Sequence, residues 1–144
     1  MTLAVTAVRR MLTAMQTGDV SDAADYIHPD FLNPEALDRS DARGPDSWAQ
    51  SVGWFRATFA DVQVHVNDIS GAGDRVVASV IISGRQVGDL ADLPATGHPV
   101  HLEQLHIMRL IDGKVVEHRD WRDDVTTLRQ LGVPAALLGQ AGIA

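Results

Sequence analysis

The sequence predicts an α+β fold, in which N-terminal helices close one side of a curved antiparallel sheet that forms a cone-shaped barrel. Two changes along the chain support this prediction. Apolar residues recur with helical periodicity in the first part of the chain, and they alternate with polar residues after Asp61. The length of 144 residues suits one domain and is too short for two. We therefore expect residues 1–144 to form a single domain with a pocket inside the cone.

The helices are predicted in the N-terminal part of the chain. The first spans Thr2–Thr17, ends at Gly18, and has an apolar face made of Ala4, Val8, Met11 and Met15. Ser21 can cap a short second helix over Asp22–Ile27, which the prolines of HPDFLNP would end. A third helix is expected at GPD, with Pro45 in its first turn and an apolar side made of Trp48, Val52, Phe55 and Phe59.

The strands are predicted after Asp61. Apolar and polar residues alternate in four segments, over residues 62–69, 75–88, 99–110 and 114–121. The pair Asp112 and Gly113 between the last two segments is a strong β-hairpin signal, so these two strands should be antiparallel neighbours. A last short helix is expected over Asp123–Leu131, ending at Gly132.

Composition and charge exclude several classes of partner. The formal net charge is -7 and the 12 basic residues are spread along the chain, which argues against nucleic-acid binding. Apolar runs are too short to span a membrane, no signal peptide is evident, and there are no cysteines. We expect a cytoplasmic protein that binds neither nucleic acid nor membranes. The apolar tail VPAALLGQAGIA should pack on the body or on another subunit, and we expect a homo-oligomer, either a dimer or a tetramer.

Alternation in the predicted hairpin indicates which side chains face the interior. The even-numbered positions of its first strand are largely apolar and should face inward, together with Gln104 and His106. The even positions of the second strand are Lys114, Val116, His118 and Asp120. If the two even sets share a face, the two histidines and the aspartate point into one cavity, whereas a one-residue slip would reverse them.

Asp120 is the candidate with the most useful chemistry in that cavity. A carboxyl group in an apolar cavity has a raised pKa, which brings it toward the range useful for proton transfer. Two other interpretations stay open. Asp120 can be a solvated residue at a strand end, balanced by Arg119 or Arg122. It can also join His106 and His118 as a metal-binding facial triad, although their spacing matches no known short motif and we predict no metal site.

The remaining aromatic and imidazole side chains are expected to have structural roles. Lone histidines usually lie at the surface or in loops, and this prediction covers His65, His98 and His101. Tryptophans most often pack in the core, with one of the three able to line an aromatic pocket, and these are Trp48, Trp54 and Trp121. The sequence contains neither GxSxG nor GxGxxG, which weakens the serine-hydrolase and dinucleotide-binding interpretations.

Several stretches of the sequence, including the segments around Gln104, His106 and Asp120, resemble a known family. Six stretches, VRRMLTAMQTGDV, YIHPDFLNP, VGWFRATFAD, SGRQVG, EQLHIMRLIDGKV and HRDW with TLRQLG, resemble in order the SnoaL-like aldol cyclases of anthracycline biosynthesis. They extend from about Val8 to Gly132. The segment DGKVVEH alone would indicate only the broad nuclear transport factor 2-like superfamily, and the HRDW element narrows the resemblance to the cyclases.

The resemblance implies an α+β barrel and a cofactor-free intramolecular aldol condensation, which closes the last carbocycle of a tricyclic polyketide methyl ester. The family's essential aspartate matches Asp120, and a pocket histidine matches His106, so these are the candidate catalytic residues. The candidate substrate-binding residues are Gln104, His118, Asn33, Met15, Ser51 and Trp54. The expected partner is a small aromatic polyketide.

The chain also departs from the family pattern. Arg122 stands where the cyclases that the chain resembles have proline, and Asp124 adds a further charge. Related family members act as hydroxylases in the same pathways, so a hydroxylase of the same fold is one alternative function. A non-catalytic module that binds polycyclic aromatic ligands is another.

Overall fold

The described residues, 2–33, 42–90 and 93–134 of a computed structural model, form three α-helices and five strands. The elements in chain order are α1 (Leu3–Thr17), β1 (Ile27–Leu32), α2 (Pro45–Thr58), β2 (Phe59–Ala72), β3 (Arg75–Gln86), β4 (Pro99–Ile111), β5 (Lys114–Arg122) and α3 (Asp124–Gln130). Helices α1, α2 and α3 all contact the sheet, so the observed class is α+β as predicted.

The five strands form one curved sheet in the order β1-β5-β4-β3-β2. Strands β2 to β5 are an antiparallel meander, as predicted, whereas β1 pairs with β5 in parallel. The predicted curved sheet covered by helices is confirmed, and the sheet itself is not closed, because the edge strands β1 and β2 do not pair. Here helix α2 contacts both edge strands instead and covers the space between them.

Helix α1 follows the predicted pattern closely. The Thr2 side chain accepts a hydrogen bond from Val5 N, and Gly18 ends the helix with a positive φ of 78°, where glycine has no Cβ to strain. The face that the periodicity indicated is buried, with Val8 at 0% and Met11 at 1% exposure. Its packing against β2 and β3 forms one wall of the interior.

The predicted second helix over Asp22–Ile27 is wrong. Only a three-residue 3-10 turn forms at Ala23–Asp25, and Ser21 does not cap it, because its hydroxyl donates to Asp19 Oδ1 at 2.6 Å. The chain then continues as β1, a strand that the sequence pattern did not predict. Pro29 is tolerated there because β1 is an edge strand and needs fewer backbone donors.

The β4–β5 hairpin has the predicted turn. Asp112 and Gly113 have positive φ values of 53° and 76°, as expected for a tight hairpin turn of this sequence. The pairing is irregular beyond Arg109, since Leu110 faces Val115 and the alternation of β5 shifts by one residue. The prediction that the even-numbered residues of β5 face inward is therefore right for His118 and Asp120. It is wrong for Lys114 next to the turn, which lies opposite the exposed Ile111.

The tryptophans occupy different environments. Trp48 is 3% exposed and packs in the core, whereas Trp54 is half-buried on the same helix. Core packing is the wrong prediction for Trp121, which is 74% exposed. The reason is its position on β5, opposite Leu105 on the outer face of the sheet, where Leu105 itself is 38% exposed.

Helix α3 begins where the Asp123 side chain accepts hydrogen bonds from Thr126 N at 2.9 Å and from its hydroxyl at 2.6 Å. It ends near Gly132, which has a φ of 88° as the predicted helix stop. Most of the predicted apolar tail, residues 135–144, lies outside the described residues. No helix in the described part of the chain is long and apolar enough to cross a membrane.

Gln86 organises the connection between β3 and β4. Its side chain is fully buried, and Oε1 accepts from Thr96 N at 3.0 Å and from the Thr96 hydroxyl at 2.7 Å. Its Nε2 donates to the carbonyls of Gly88 at 3.1 Å and Leu93 at 3.5 Å. One amide thus fixes both sides of the loop that carries Leu90.

Replacing Gln86 by Leu should lower the free energy of unfolding by about 2–4 kcal/mol, because half-buried groups of Gly88, Leu93 and Thr96 lose their hydrogen-bond partner. Urea unfolding measures the effect. Gln63→Leu is the matched control, since Gln63 is exposed on β2 and should change stability little. Equal stability of the two variants would show that the buried amide does not hold the loop.

Candidate functional site

A cavity of about 650 Å³ lies between the inner face of the sheet and the helices. This volume falls in the usual range for small-molecule sites. The cavity wall includes all eight side chains that the sequence put forward as site residues, which are Met15, Asn33, Ser51, Trp54, Gln104, His106, His118 and Asp120. They come from α1, α2, β4, β5 and the residue after β1.

Strands β4 and β5 position the polar residues of the cavity. In their antiparallel register Met108 faces His118, His106 faces Asp120, and Gln104 faces Arg122. Directly opposed residues have side chains on the same face of a sheet. This register therefore puts the polar side chains of both strands on one wall, with the predicted orientation of His106, His118 and Asp120.

Four of these residues form a continuous chain of close polar contacts. His106 Nε2 lies 2.8 Å from Gln104 Oε1, and His106 Nδ1 lies 2.7 Å from His118 Nε2. His118 Nδ1 in turn lies 3.2 Å from Asn33 Oδ1. The two imidazole rings are stacked, with centroids 4.9 Å apart. These side-chain contacts thus connect β4, β5 and the end of β1.

Burial makes both imidazoles neutral near pH 7. Loss of hydration, assisted by the charge of Arg122, lowers the pKa of His106 from 6.5 to about 4. Burial lowers the pKa of His118 well below its usual value as well, and the neighbouring His106 and Arg122 add to the effect. Neither ring is therefore a strong base or a cation at neutral pH.

Because both imidazoles are neutral, the positions of the protons along these four linked side chains are restricted. A neutral imidazole carries one N–H, so each ring can donate on one side and must accept on the other. All donors must then point the same way along the chain. One terminal amide, of Gln104 or of Asn33, presents its oxygen and the other presents its NH₂ group. The four side chains hold each other in fixed orientations.

Asp120 is enclosed and lies beside a cation. Its side chain is 8% exposed, and its Oδ2 lies 3.8 Å from Arg122 Nη1. The guanidinium Nε of the same arginine lies 3.6 Å from Asp124 Oδ1. The interpretation of Asp120 as a solvated strand-end residue is wrong, because the inner face of β5 carries it into the cavity. The alternative partner Arg119 is exposed, opposite Ile107 in the register.

Apolar and aromatic side chains make up most of the remaining wall. Trp48 contacts His118 edge-to-face, with ring centroids 6.2 Å apart and planes at 77°. Other lining residues of this type are Val52, Phe55, Phe59, Leu90, Leu102 and Leu128. The helical periodicity of α2 had indicated Trp48 and Phe55 as an apolar face without assigning them to the site. Flat aromatic ligands suit such a wall.

Sequence reasoning did not place Arg122 or helix α3 in the site. Arg122 lines the cavity at the inward-facing position after Asp120, so the same alternation could have found it. Thr127 and Gln130 of α3 also line the cavity. Gln130 Oε1 accepts a hydrogen bond from His101 N at 2.7 Å, and Gln130 Nε2 donates one to the His101 carbonyl at 3.0 Å. No signal in the sequence indicated this contact.

Among the described residues, no group of three or more histidines and carboxylates is arranged to hold a metal ion. The ring nitrogens of His106 and His118 that face each other are joined at 2.7 Å. The other histidines of the prediction are exposed, as expected, and these are His65, His98 and His101, the last at the cavity rim.

Comparison with known proteins assigns the family. A family model described as SnoaL-like polyketide cyclase matches residues 5–131. The chain belongs to the SnoaL-like polyketide cyclase family. The match covers every described element from within α1 to the end of α3. The resemblance drawn from HRDW and the five other stretches is therefore confirmed.

Two relatives are similar over most of their length. The nogalonic acid methyl ester cyclase of Streptomyces nogalater is 45% identical over 125 residues, which cover 86% of this chain and 93% of the relative. The aklanonic acid methyl ester cyclase AcmA of Streptomyces galilaeus is 40% identical over 131 residues, covering 90% and 91%. Among solved structures, TsrD from Streptomyces laurentii has a TM-score of 0.77 at 27% identity, covering 88% of this chain and 96% of TsrD.

Acid should destabilise the protein through the buried histidines. Between pH 6.5 and about 4 the unfolded chain binds a proton at His106 that the native protein excludes, so the free energy of unfolding falls as pH falls. The loss attributable to His106 is on the order of 3 kcal/mol. Urea unfolding at a series of pH values measures it.

His106→Gln should flatten this pH dependence, because the variant has no proton to exclude at this position. His65→Gln is the matched control, since His65 is exposed and should keep the wild-type profile. The assignment fails if His106→Gln and wild type lose stability in parallel over this pH range.

Proposed function

We propose that this chain is a polyketide cyclase. It catalyses a cofactor-independent intramolecular aldol condensation, which closes the last ring of an anthracycline-type aromatic polyketide methyl ester. The observation that carries the proposal is the Asp120 carboxyl group, which is 8% exposed on the wall of a cavity with aromatic sides. The names of two relatives as methyl ester cyclases support the reaction and substrate class.

Asp120 begins the reaction as a general base. Its carboxylate removes a proton from the substrate carbon that lies between carbonyl groups, and the C–H electron pair moves onto the carbonyl oxygens as an enolate. Burial lowers the pKa of both His106 and His118, and their facing nitrogens are joined to each other, so both rings are weak bases for this proton. The base is therefore assigned to the carboxylate.

Ring closure returns the proton. The enolate carbon attacks the side-chain ketone carbon, a C–C bond forms, and the ketone oxygen becomes an alkoxide. Asp120, now protonated, gives its proton to this alkoxide, so the enzyme is regenerated and substrate and product have equal mass. Return through His106 is the weaker route, because burial depresses its pKa to about 4 and favours the neutral ring.

The other site residues hold the substrate and the catalytic strand. Gln104, His118 and Asn33 form the polar chain with His106 and keep that wall rigid. On the helical side, Met15 and Trp54 provide apolar surface for the flat rings. The Ser51 hydroxyl oxygen is buried there without a hydrogen-bond partner among the described residues, so it is available to a substrate oxygen.

Replacing Asp120 by Asn should lower kcat by about 10²–10⁴-fold, the usual contribution of one positioned acid/base. Substrate affinity and thermal stability should stay close to wild type, because the amide has nearly the same shape. The assay is conversion of tricyclic polyketide methyl esters, followed by mass spectrometry and chiral chromatography.

Asp68→Asn is the matched control, because Asp68 is exposed on β2. Full activity of the Asp120 variant would remove the assignment. A product heavier by one oxygen would indicate a hydroxylase, and binding without conversion would indicate a ligand-binding module.

We further propose that the enzyme acts in the cytoplasm as a homodimer, through the outer face of the sheet. This face exposes the apolar residues Val77, Leu105 and Trp121 at 38%, 38% and 74%. Register places Arg119 near one end of this band, beside Ile107, and Glu103 near the other, beside Ile81. A second copy related by a two-fold axis would bring the opposite charges of the two ends together.

The double variant Val77→Lys with Leu105→Lys should convert the dimer to monomer, since charges would then repel across the apolar band. Light scattering coupled to size-exclusion chromatography measures the mass. Val87→Lys is the control, because Val87 is exposed at 42% beyond the end of β3. A wild-type monomer, or a double variant of unchanged oligomeric mass, contradicts this interface.

A further inference from the structure

Arg122 is the one lysine or arginine among the described residues that line the cavity. Of the acidic residues in the lining, Asp120 is on the inner face, whereas Glu103, Asp123 and Asp124 are exposed at its edge. The imidazoles of the lining are His101, His106 and His118. Since His106 and His118 are neutral by burial and His101 is exposed at the rim, Arg122 provides the permanent positive charge of the inner wall.

The position of Arg122 follows from strand geometry. It is the next inward-facing residue of β5 after Asp120 and lies opposite Gln104 on β4. Its side chain is 27% exposed, and its Nη1 lies 3.8 Å from Oδ2 of Asp120, which also lines the cavity. The head group therefore lies beside the carboxylate at which the proposed reaction begins.

The acidic neighbours of Arg122 do not engage it closely. Its distances to Asp120 Oδ2 and Asp124 Oδ1, 3.8 and 3.6 Å, exceed those of direct hydrogen bonds. Asp124 is also 56% exposed, so water screens its charge. Asp123 is committed to Thr126 as the cap of α3. A guanidinium has five N–H donors, and these loose ion pairs leave it able to bind a further anionic oxygen.

We propose that Arg122 is a catalytic residue, which donates hydrogen bonds to the enolate oxygen formed when Asp120 removes the substrate proton. This inference rests on the proposed cyclase function. Arg122 is then the group that binds the oxyanion. The substrate must carry a carbonyl oxygen that lies within reach of both Asp120 and Arg122.

Charge movement during the step favours this role. Before proton removal, the negative charge is on Asp120, at the loose distance of 3.8 Å from Arg122. Afterwards Asp120 is a neutral acid and the charge is on the substrate oxygen. The net charge of the site does not change, and Arg122 keeps an anionic partner throughout.

The interaction also strengthens along the reaction. The loose ion pair with Asp120 is replaced by charge-assisted hydrogen bonds, which are typically about 2.7–2.9 Å long. An interaction that is stronger in the transition state than in the ground state raises kcat. Asp120, at 8% exposure, lies where little solvent is present to weaken such an interaction.

Kinetics of three arginine variants test the role. Arg122→Gln should lower kcat by about 10- to 100-fold, less than the roughly 10²–10³-fold of a localised oxyanion donor, because the enolate charge is delocalised. Arg122→Lys should restore part of kcat, since it keeps the charge without the planar fork. Arg129→Gln is the matched control and should retain wild-type kcat, since Arg129 is exposed on α3 and does not line the cavity.

A titration without turnover provides an independent readout. Alizarin, a dihydroxyanthraquinone, changes its absorption when a phenol ionises, and it has the flat shape that the cavity accepts. Its phenol should ionise at lower pH when bound to wild-type protein than when free. In Arg122→Gln the midpoint of the bound dye should rise by about one pH unit, since an opposite charge within about 4–6 Å favours the anion.

The outcomes separate this inference from the cyclase function. Reduced kcat with partial rescue by lysine, and a raised dye midpoint, support the role of Arg122. Unchanged kcat in a folded Arg122→Gln variant overturns it, as does an increase in KM alone. If no polyketide is converted by wild type, the cyclase proposal fails, and the dye midpoint still decides whether Arg122 binds aromatic oxyanions. A dye midpoint that is the same in Arg122→Gln and in wild type overturns oxyanion binding by Arg122 as well.

Discussion

The pairing of β4 with β5 is the constraint on which the site depends. It puts His106 opposite Asp120 and Gln104 opposite Arg122, with all four on the inner wall. A slip of one residue would move each inward side chain of one strand to the solvent face. The hairpin turn at Asp112 and Gly113 and the shift in pairing beyond Arg109 together fix this register. The chemistry of the site is thus set by backbone hydrogen bonds.

Burial then divides the polar groups of the cavity into two kinds. The imidazoles of His106 and His118 lose their hydration, become neutral, and bond each other as a rigid support. Asp120 and Arg122 lie further toward the end of β5 and form a loose ion pair at 3.8 Å. One half of the wall consists of neutral imidazoles, while the other presents a carboxylate and a cation to the cavity. Such a separation suits a reaction in which a proton leaves and returns at one position.

Sequence alone predicted those parts of the molecule that depend on local periodicity. The α1 cap, the meander from β2 to β5 and the inward set on β4 all follow from spacing and turn residues. Strand β1 was missed, because its six residues contain a proline and it pairs with β5, far away in the chain. Coverage of the curved sheet by helices was predicted, whereas the contact of α2 with both edge strands was not, since it depends on tertiary packing.

The same limit applies to the candidate site. Alternation brought His106, His118 and Asp120 together, whereas the resemblance was needed for Asn33. Met15 and Ser51, proposed from their positions on two predicted helices, reach the cavity from other elements. The contact of Asn33 with His118 has a consequence for folding, because it joins residues 85 positions apart. Contacts of such separation require a large loop to close before they form. During synthesis, β1 cannot pair with β5 until almost the whole remaining chain has been made. The polar wall is therefore completed late, after the meander on which it is built.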